Sequence, residues 1–533
     1  MYRVVASLGI TLLGVLPAVP VAELAVGFGC LFAGANTVSA AGRDIPRTWD
    51  QADLSTSEVP LADARYSPVH VPENFYYAIP ERPIYKSYPV YAPGREPAGY
   101  WQKLLTTKPE ILWGKDSNGK EHHPALRTKE DWVRAGELVF DAAIAYSSGP
   151  SNTLVSLANV RDSRYYETMR PPLSSDGRFV FGSYVIRELG KVELGQVSCG
   201  MCHTRVLPDG SVIKGAQGNL PFDRSIAFNV QETSQLPADL QEKALNGLRR
   251  ATRTFFGMPW AKPDPAGTYA TWTLQDVYRG LMAIPPGVID RQGSSALYPV
   301  QIPDLIGIKD RLYLDHTGLQ RHRGIGDIMR YGALNQDMNL WGRYGSWIPG
   351  APDGTTLPPA AKLKRYSDEQ LYALGLFLYS LRPPANPNKT DTLAAAGKAV
   401  FARAGCGGCH TKPLYTNNKL TPAQGFVTPS SSKDRVMPIS VGTDPRLAMQ
   451  TRRGTGYYKV PSLKGLWYRG PLEHSGSVSS LEDWFNPARL REDYVPTGFI
   501  GAGIKSRAVK GHEFGLELGP NDRAALIAFL RTL

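Results

Sequence analysis

The hydrophobic and polar positions of this chain repeat. TKEDWVRAGELVFDAAIAY (128–146) has apolar residues at helical spacing, with Thr128 placed to cap it and acidic residues in its first turn. DTLAAAGKAVFARAG, beginning at Asp391, reads the same way. Both leading helices carry Gly-x-x-Val-Phe, from Gly136 to Phe140 and from Gly397 to Phe401. Each is answered far downstream by an apolar-faced closing helix, SDEQLYALGLFLYSL (367–381) and GPNDRAALIAFLRTL (519–533). Ahead of the closing helices, IPDLIGIKDRLYLDHTG (302–318) aligns with VPSLKGLWYRGPLEHSG (460–476), matching Pro303 with Pro461, Gly307 with Gly465 and His316 with His474. The order is a duplication. RPPANPNKT (382–390) is a linker by its Pro and Asn content, and the Pro- and Tyr-rich stretch from Ala41 to Arg127 reads as an extended arm. The expectation is a mainly α protein with long irregular loops, divided into an arm at 41–127 and helical domains at 128–383 and 384–533.

Composition changes this picture in two places. The net charge of +12 comes from dispersed basic residues without a long Lys/Arg tract, which predicts no nucleic-acid partner and suits the steering of an acidic redox partner protein. The first 40 residues have Arg3, an apolar run to about Ala35 and small residues around Ala40. That is the pattern of a secretory signal peptide cleaved after Ala40, with an uncleaved anchor as the lesser alternative. A periplasmic or secreted protein with no stable membrane span after signal removal is expected.

Cys30 leaves with the leader, and the four remaining cysteines all fall in CGMCH (199–203) and CGGCH (406–410). Two thioether sulfurs and a following histidine make this the attachment signature of c-type haem. A thioredoxin-like pair needs no histidine, and a four-cysteine zinc site or disulfides leave the doubled histidine unexplained. Two covalently bound haem c groups are therefore expected, on Cys199, Cys202 and His203 and on Cys406, Cys409 and His410. The halves are unequal. Cys406 follows Phe401 by five residues, whereas about 54 more separate Phe140 from Cys199.

Leading helix, CxxCH and closing helix resemble the cytochrome c fold. Two such domains with VPSLKGLW…HSGSVSSLEDW resemble the bacterial di-haem cytochrome c peroxidase superfamily, over residues 128–533. That superfamily includes the methylamine dehydrogenase maturation enzyme and, more distantly, the rubber oxygenases. The resemblance implies one haem that passes electrons and one that handles peroxide or dioxygen. VKGHEFGLEL (509–518) is most similar to the rubber-oxygenase branch, which implies His512 as second axial ligand of the C-terminal haem, with His203 and His410 proximal. The chain departs from the shorter peroxidases in its first-half insertion and in having no copy of their distal Glu motif.

The other candidates have bland readings beside the sharp ones. His512 has no first-half counterpart, since the matching position is Ala360; Met437 and Met449 are the alternative ligands. His122 and His123 read as solvated, His316 and His474 as turn-bonding, and His322 as a surface residue or a propionate contact. Trp260, Trp272, Trp341 and Trp347 are core residues or electron relays. The leading expectation is a periplasmic di-haem oxidoreductase using peroxide or dioxygen. Its rivals are a rubber-oxygenase-like dioxygenase with an apolar pocket from Phe228, Phe255 or Phe256, and a non-enzymatic electron carrier.

Overall fold

The computed structural model describes residues 44–50, 53–54, 58–66, 71–147, 155–290, 295–432 and 434–533, so the leader and its cleavage position lie outside it. The first leading helix, Lys129–Asp141, starts in a capping box between Thr128 and Asp131. Its closing partner, Asp368–Ser380, starts in another, between Ser367 and Gln370. In the second half Asp391 caps Thr392–Arg403, and Pro520 opens Pro520–Arg531. Each cap satisfies amide N–H groups that the first turn leaves unpaired.

Each leading helix crosses its closing helix at the repeated glycine. A Cβ on Gly136 would come within 2.0 Å of the Ala373 carbonyl oxygen, and one on Gly397 within 1.8 Å of that of Ala525. The repeated phenylalanine then meets its closing helix ring to ring. Phe140 and Phe377 stand 5.1 Å apart, Phe401 and Phe529 5.4 Å. The Gly-x-x-Val-Phe pattern is thus a helix-crossing device, with a missing side chain for close approach and an aromatic anchor one turn on.

The matched segments after the cysteine motifs also share their backbone. Gly307 and Gly465 turn the chain at φ +76° and +77°, a region open to glycine. The two segments meet reciprocally: Gln301 N–H donates to the His474 carbonyl at 2.8 Å, and Lys459 N–H to the His316 carbonyl at 2.9 Å. Because Gln301 aligns with Lys459 and His316 with His474, the halves join as a pseudo-twofold pair. Fully buried Gln217 ties the joint, donating to Gly287 and Pro471 carbonyls and accepting from Gly470 N–H.

The expectation of a mainly α fold is overturned. The structure is 35% helix and 13% strand with several sheets, a mixed α/β protein. Strands are spread along the chain, and the stretch between the first leading helix and CGMCH supplies three strands of a four-stranded sheet. Strands Ser183–Glu188 and Lys191–Gln196 form a hairpin within this sheet, whose edges are Ser87–Tyr88 and Ala145–Ser147. Its apolar residues Tyr184, Ile186, Val192 and Leu194 build a core with Met201 and Phe222. The arm is integral too: Trp49, Tyr76 and Trp113 are buried with Trp132 and Phe140 in the core of the first helix pair. Among the described residues, no helix is long and apolar enough to cross a membrane.

Candidate cofactor site

CGMCH forms a helical turn, Cys199–Cys202, capped by the Ser198 hydroxyl. His203 N–H closes onto the Cys199 carbonyl at 2.8 Å, and its ring Nδ1–H donates to the Pro303 carbonyl at 2.9 Å. CGGCH repeats the device. His410 N–H closes onto Cys406 at 2.9 Å, and Nδ1–H donates to the Tyr415 carbonyl at 3.0 Å. A ring held at Nδ1 keeps Nε2 as the lone-pair nitrogen, the orientation of a metal-binding histidine.

Cys199 and Cys202 pack against cores of the first half and Cys406 against that of the second. Cys199 packs beside Phe140, whereas Cys406 packs beside Phe401 and Leu530. This separation is inconsistent with one four-cysteine zinc site. Cys406 and Cys409 form no disulfide, and burial pushes both thiols above their ordinary pKa. A redox-active Cys-x-x-Cys site requires the opposite shift.

A cavity opens beside the second motif, lined by Cys406, Cys409, His410, Met437, Trp484 and His512. Its remaining wall is largely apolar, including Leu463, Leu466, Leu526 and Leu530. The rings of His410 and His512 lie with centroids 6.2 Å apart and planes tilted by 55°. An imidazole nitrogen sits roughly 2 Å from a bound first-row metal, so ring centres on opposite sides of one ion stand about 6 Å apart. The pair therefore fits a single haem iron, with the apolar cavity around it for the macrocycle.

His512 is brought there by its backbone. It adopts φ +46°, its N–H donates to the Val441 carbonyl at 2.6 Å, and its own carbonyl accepts from Arg489 at 2.9 Å. A non-glycine residue in this region carries strain that the surroundings must hold. Burial, then the nearby His410, lowers its pKa to about 4, so the ring is neutral at neutral pH. Its Nδ1 is buried with no hydrogen-bond partner among the described residues.

The remaining candidates separate clearly. Met437 lines the cavity and its sulfur accepts from Asn417, whereas Met449 packs near Leu447 and Tyr458. Among the described residues, His316 and His474 line the same cavity. His316 Nε2–H donates to the Gln301 carbonyl at 2.7 Å, and His474 lies 2.6 Å from Glu473 and stacks on Tyr458. His322 is not a surface residue: it is 5% exposed, held between the Arg311 carbonyl and the Tyr379 hydroxyl. His122 is half-buried against Asp116, and His123 is exposed. Trp260 and Trp347 pack with Tyr344, Trp272 with Tyr269 and Trp341 beside the first core. Phe228 meets Tyr165 edge-on, whereas Phe255 and Phe256 belong to a separate cluster, so the three do not wall one pocket.

Two residues of this site escaped sequence reasoning. Trp484 stands 5.2 Å from the His512 ring, and Arg489, 1% exposed, lies over Trp484 while anchoring His512. A tryptophan ending the SSLEDW segment was the available signal for the first; a single Arg in an irregular stretch gave none for the second.

No family profile and no curated protein matches this chain. Among solved structures, Kuenenia stuttgartiensis hydrazine synthase aligns at a TM-score of 0.27 and 15% identity, over 58% of this chain and 92% of that one. A MauG-like protein associated with microbial copper homeostasis aligns at 0.21 and 18%, over 31% of this chain and 56% of that one.

Proposed function

We propose that the chain is a periplasmic or secreted di-haem c-type oxidoreductase. In this reading the half at 384–533 holds a haem between His410 and His512 and passes electrons. The half at 128–383 holds a haem on Cys199, Cys202 and His203, where peroxide or dioxygen reacts. The observation that carries it is the 6.2 Å spacing of the His410 and His512 rings beside Cys406 and Cys409 in one largely apolar cavity. Bound haem supplies an iron that changes oxidation state and, where a coordination position is exchangeable, binds small oxidants.

The chain's own residues do the rest. The Tyr415 carbonyl fixes the His410 ring, and Arg489 and the Val441 carbonyl fix His512, so neither imidazole must reorganise when charge changes between them. Leucines and Phe485 exclude water around that pair. The Pro303 carbonyl orients His203 in the same way. Asymmetry supports the division of labour, because the first-half counterpart of His512 is Ala360, in a short turn, Ala360–Lys362.

Spin-state spectra of the purified protein, oxidised and reduced, before and after peroxide, test this reading. One low-spin haem and one that responds to peroxide are expected. Two low-spin haems indifferent to peroxide would make the protein an electron carrier.

A further inference from the structure

A second, small cavity lies against the first at the joint between the halves. The two share His316, Lys459, Pro461, Ser462 and Arg469 in their walls. Its charge is one-sided. Arg311, Lys419, Lys459 and Arg469 face it, and Asp304 is the one carboxylate of its wall among the described residues. Asp304 is already engaged, lying 3.5 Å from Arg311 and accepting from the Tyr468 hydroxyl at 3.2 Å.

The other cations are left over. Arg469 donates to the Ser462 and Lys464 carbonyls, but its Nε is buried with no partner. Lys459 makes no ion pair among the described residues. Burial, then Arg311 and Arg469, lowers its pKa to about 7. Lys419 sits near enough to Cys409 for its charge to act on that thiol. Enclosing like charges without counter-ions is costly, and breaking a buried pair is among the more damaging changes a protein can suffer. Asp304 in the wall and Asp315 behind it both act on Lys459, so the polypeptide brings two carboxylates to four cations and the site stays net positive. That excess suits an anionic ligand.

We infer that this cavity binds carboxylates, and that they are the propionates of the haem on Cys406 and Cys409, held by Lys459 and Arg469 with Lys419 and Arg311 behind them. The inference rests on the haem reading above. It assigns to Lys459 the role of a positioning residue whose charge raises the reduction potential of that haem, since a neighbouring cation favours the reduced, less positive iron.

The test is a spectroelectrochemical titration of the holoprotein as wild type, Lys459→Met and Lys459→Arg, after mass analysis has established haem loading. Lys459→Met is expected to shift one haem to a more negative potential, and Lys459→Arg to keep it near wild type. If Lys459→Met does not fold, Arg469→Gln carries the same expectation. Loaded variants with both potentials unmoved overturn the inference and leave the haem reading intact. Wild type without covalent haem overturns both. A saturable shift of the wild-type potential by acetate at fixed ionic strength would show the cavity taking a free carboxylate, and would overturn the propionate assignment.

Discussion

Gln301 donates its backbone N–H to the carbonyl of His474 at 2.8 Å, and through that bond the two candidate cofactor sites share one frame. Two residues further on, the Pro303 carbonyl receives the ring N–H of His203; the Gln301 carbonyl receives that of His316, which faces the cavity of the other half. The proximal ring of one site is thus two peptide units from the wall of the other.

The two CxxCH turns set the first expectation, because each presents two thiols and an oriented imidazole. Denatured protein should retain two haems per chain by mass and by haem-stained gel. Replacing Cys406 and Cys409 with alanine should leave one. A wild-type mass without added haem would refute the cofactor assignment.

His512→Ala should convert one low-spin haem to high-spin, read by absorption and electron paramagnetic resonance. The expectation follows from the 6.2 Å spacing to His410. An unchanged spectrum would transfer attention to Met437, which shares the cavity.

Cyanide or carbon monoxide should bind one haem per chain, the one on His203, and His203→Ala should abolish peroxide or dioxygen turnover. The second site offers a ring on each side, whereas the first half has alanine at the counterpart of His512. Binding at neither haem sinks the enzyme reading.

Gly397→Ala should destabilise the second half by about 1–3 kcal/mol, the usual cost of forcing a methyl group into a packed contact. Its Cβ would fall 1.8 Å from the Ala525 carbonyl oxygen, and backbone on a crossing helix cannot swing aside. Denaturant unfolding of the holoprotein measures it, and a wild-type midpoint would mean that the crossing yields freely.

Acid should weaken the joint through His316. Burial, then the charge of Lys459, lowers its pKa to about 3 from an ordinary 6.5. The folded state thus keeps the ring neutral while the unfolded chain takes up a proton. That contribution is whole above about pH 6.5 and is lost as pH falls towards 3, by at most about 1.4 kcal/mol per pH unit. His316→Gln should flatten the acid side of the stability profile, and an unchanged slope between pH 6 and 4 would exclude His316 as its source.

The leading and closing helices and the Thr128 cap were legible because helical spacing and a capping residue act within a few positions of the chain. The hairpin at 183–196 had its signal as well, in the alternation of Tyr184 and Ile186, then Val192 and Leu194, around Gly190. That signal is short, and it lies in an insertion that has no counterpart in the second half to reinforce it. His322 looked exposed because its neighbours are arginines. The Arg311 carbonyl and Tyr379, 11 and 57 positions away, take it inside.

The sequence by itself determined the duplication, its leading and closing helices and the two CxxCH motifs, since each is written in local residue patterns. Beyond His512, which the family resemblance implied, tertiary structure decided what surrounds those motifs. His512 meets His410 across 102 positions, and Asp304 and Arg311 meet Lys459 and Arg469 across about 150. No local spacing carries such a meeting, because it is set by how the two halves close on each other and bury their shared backbone.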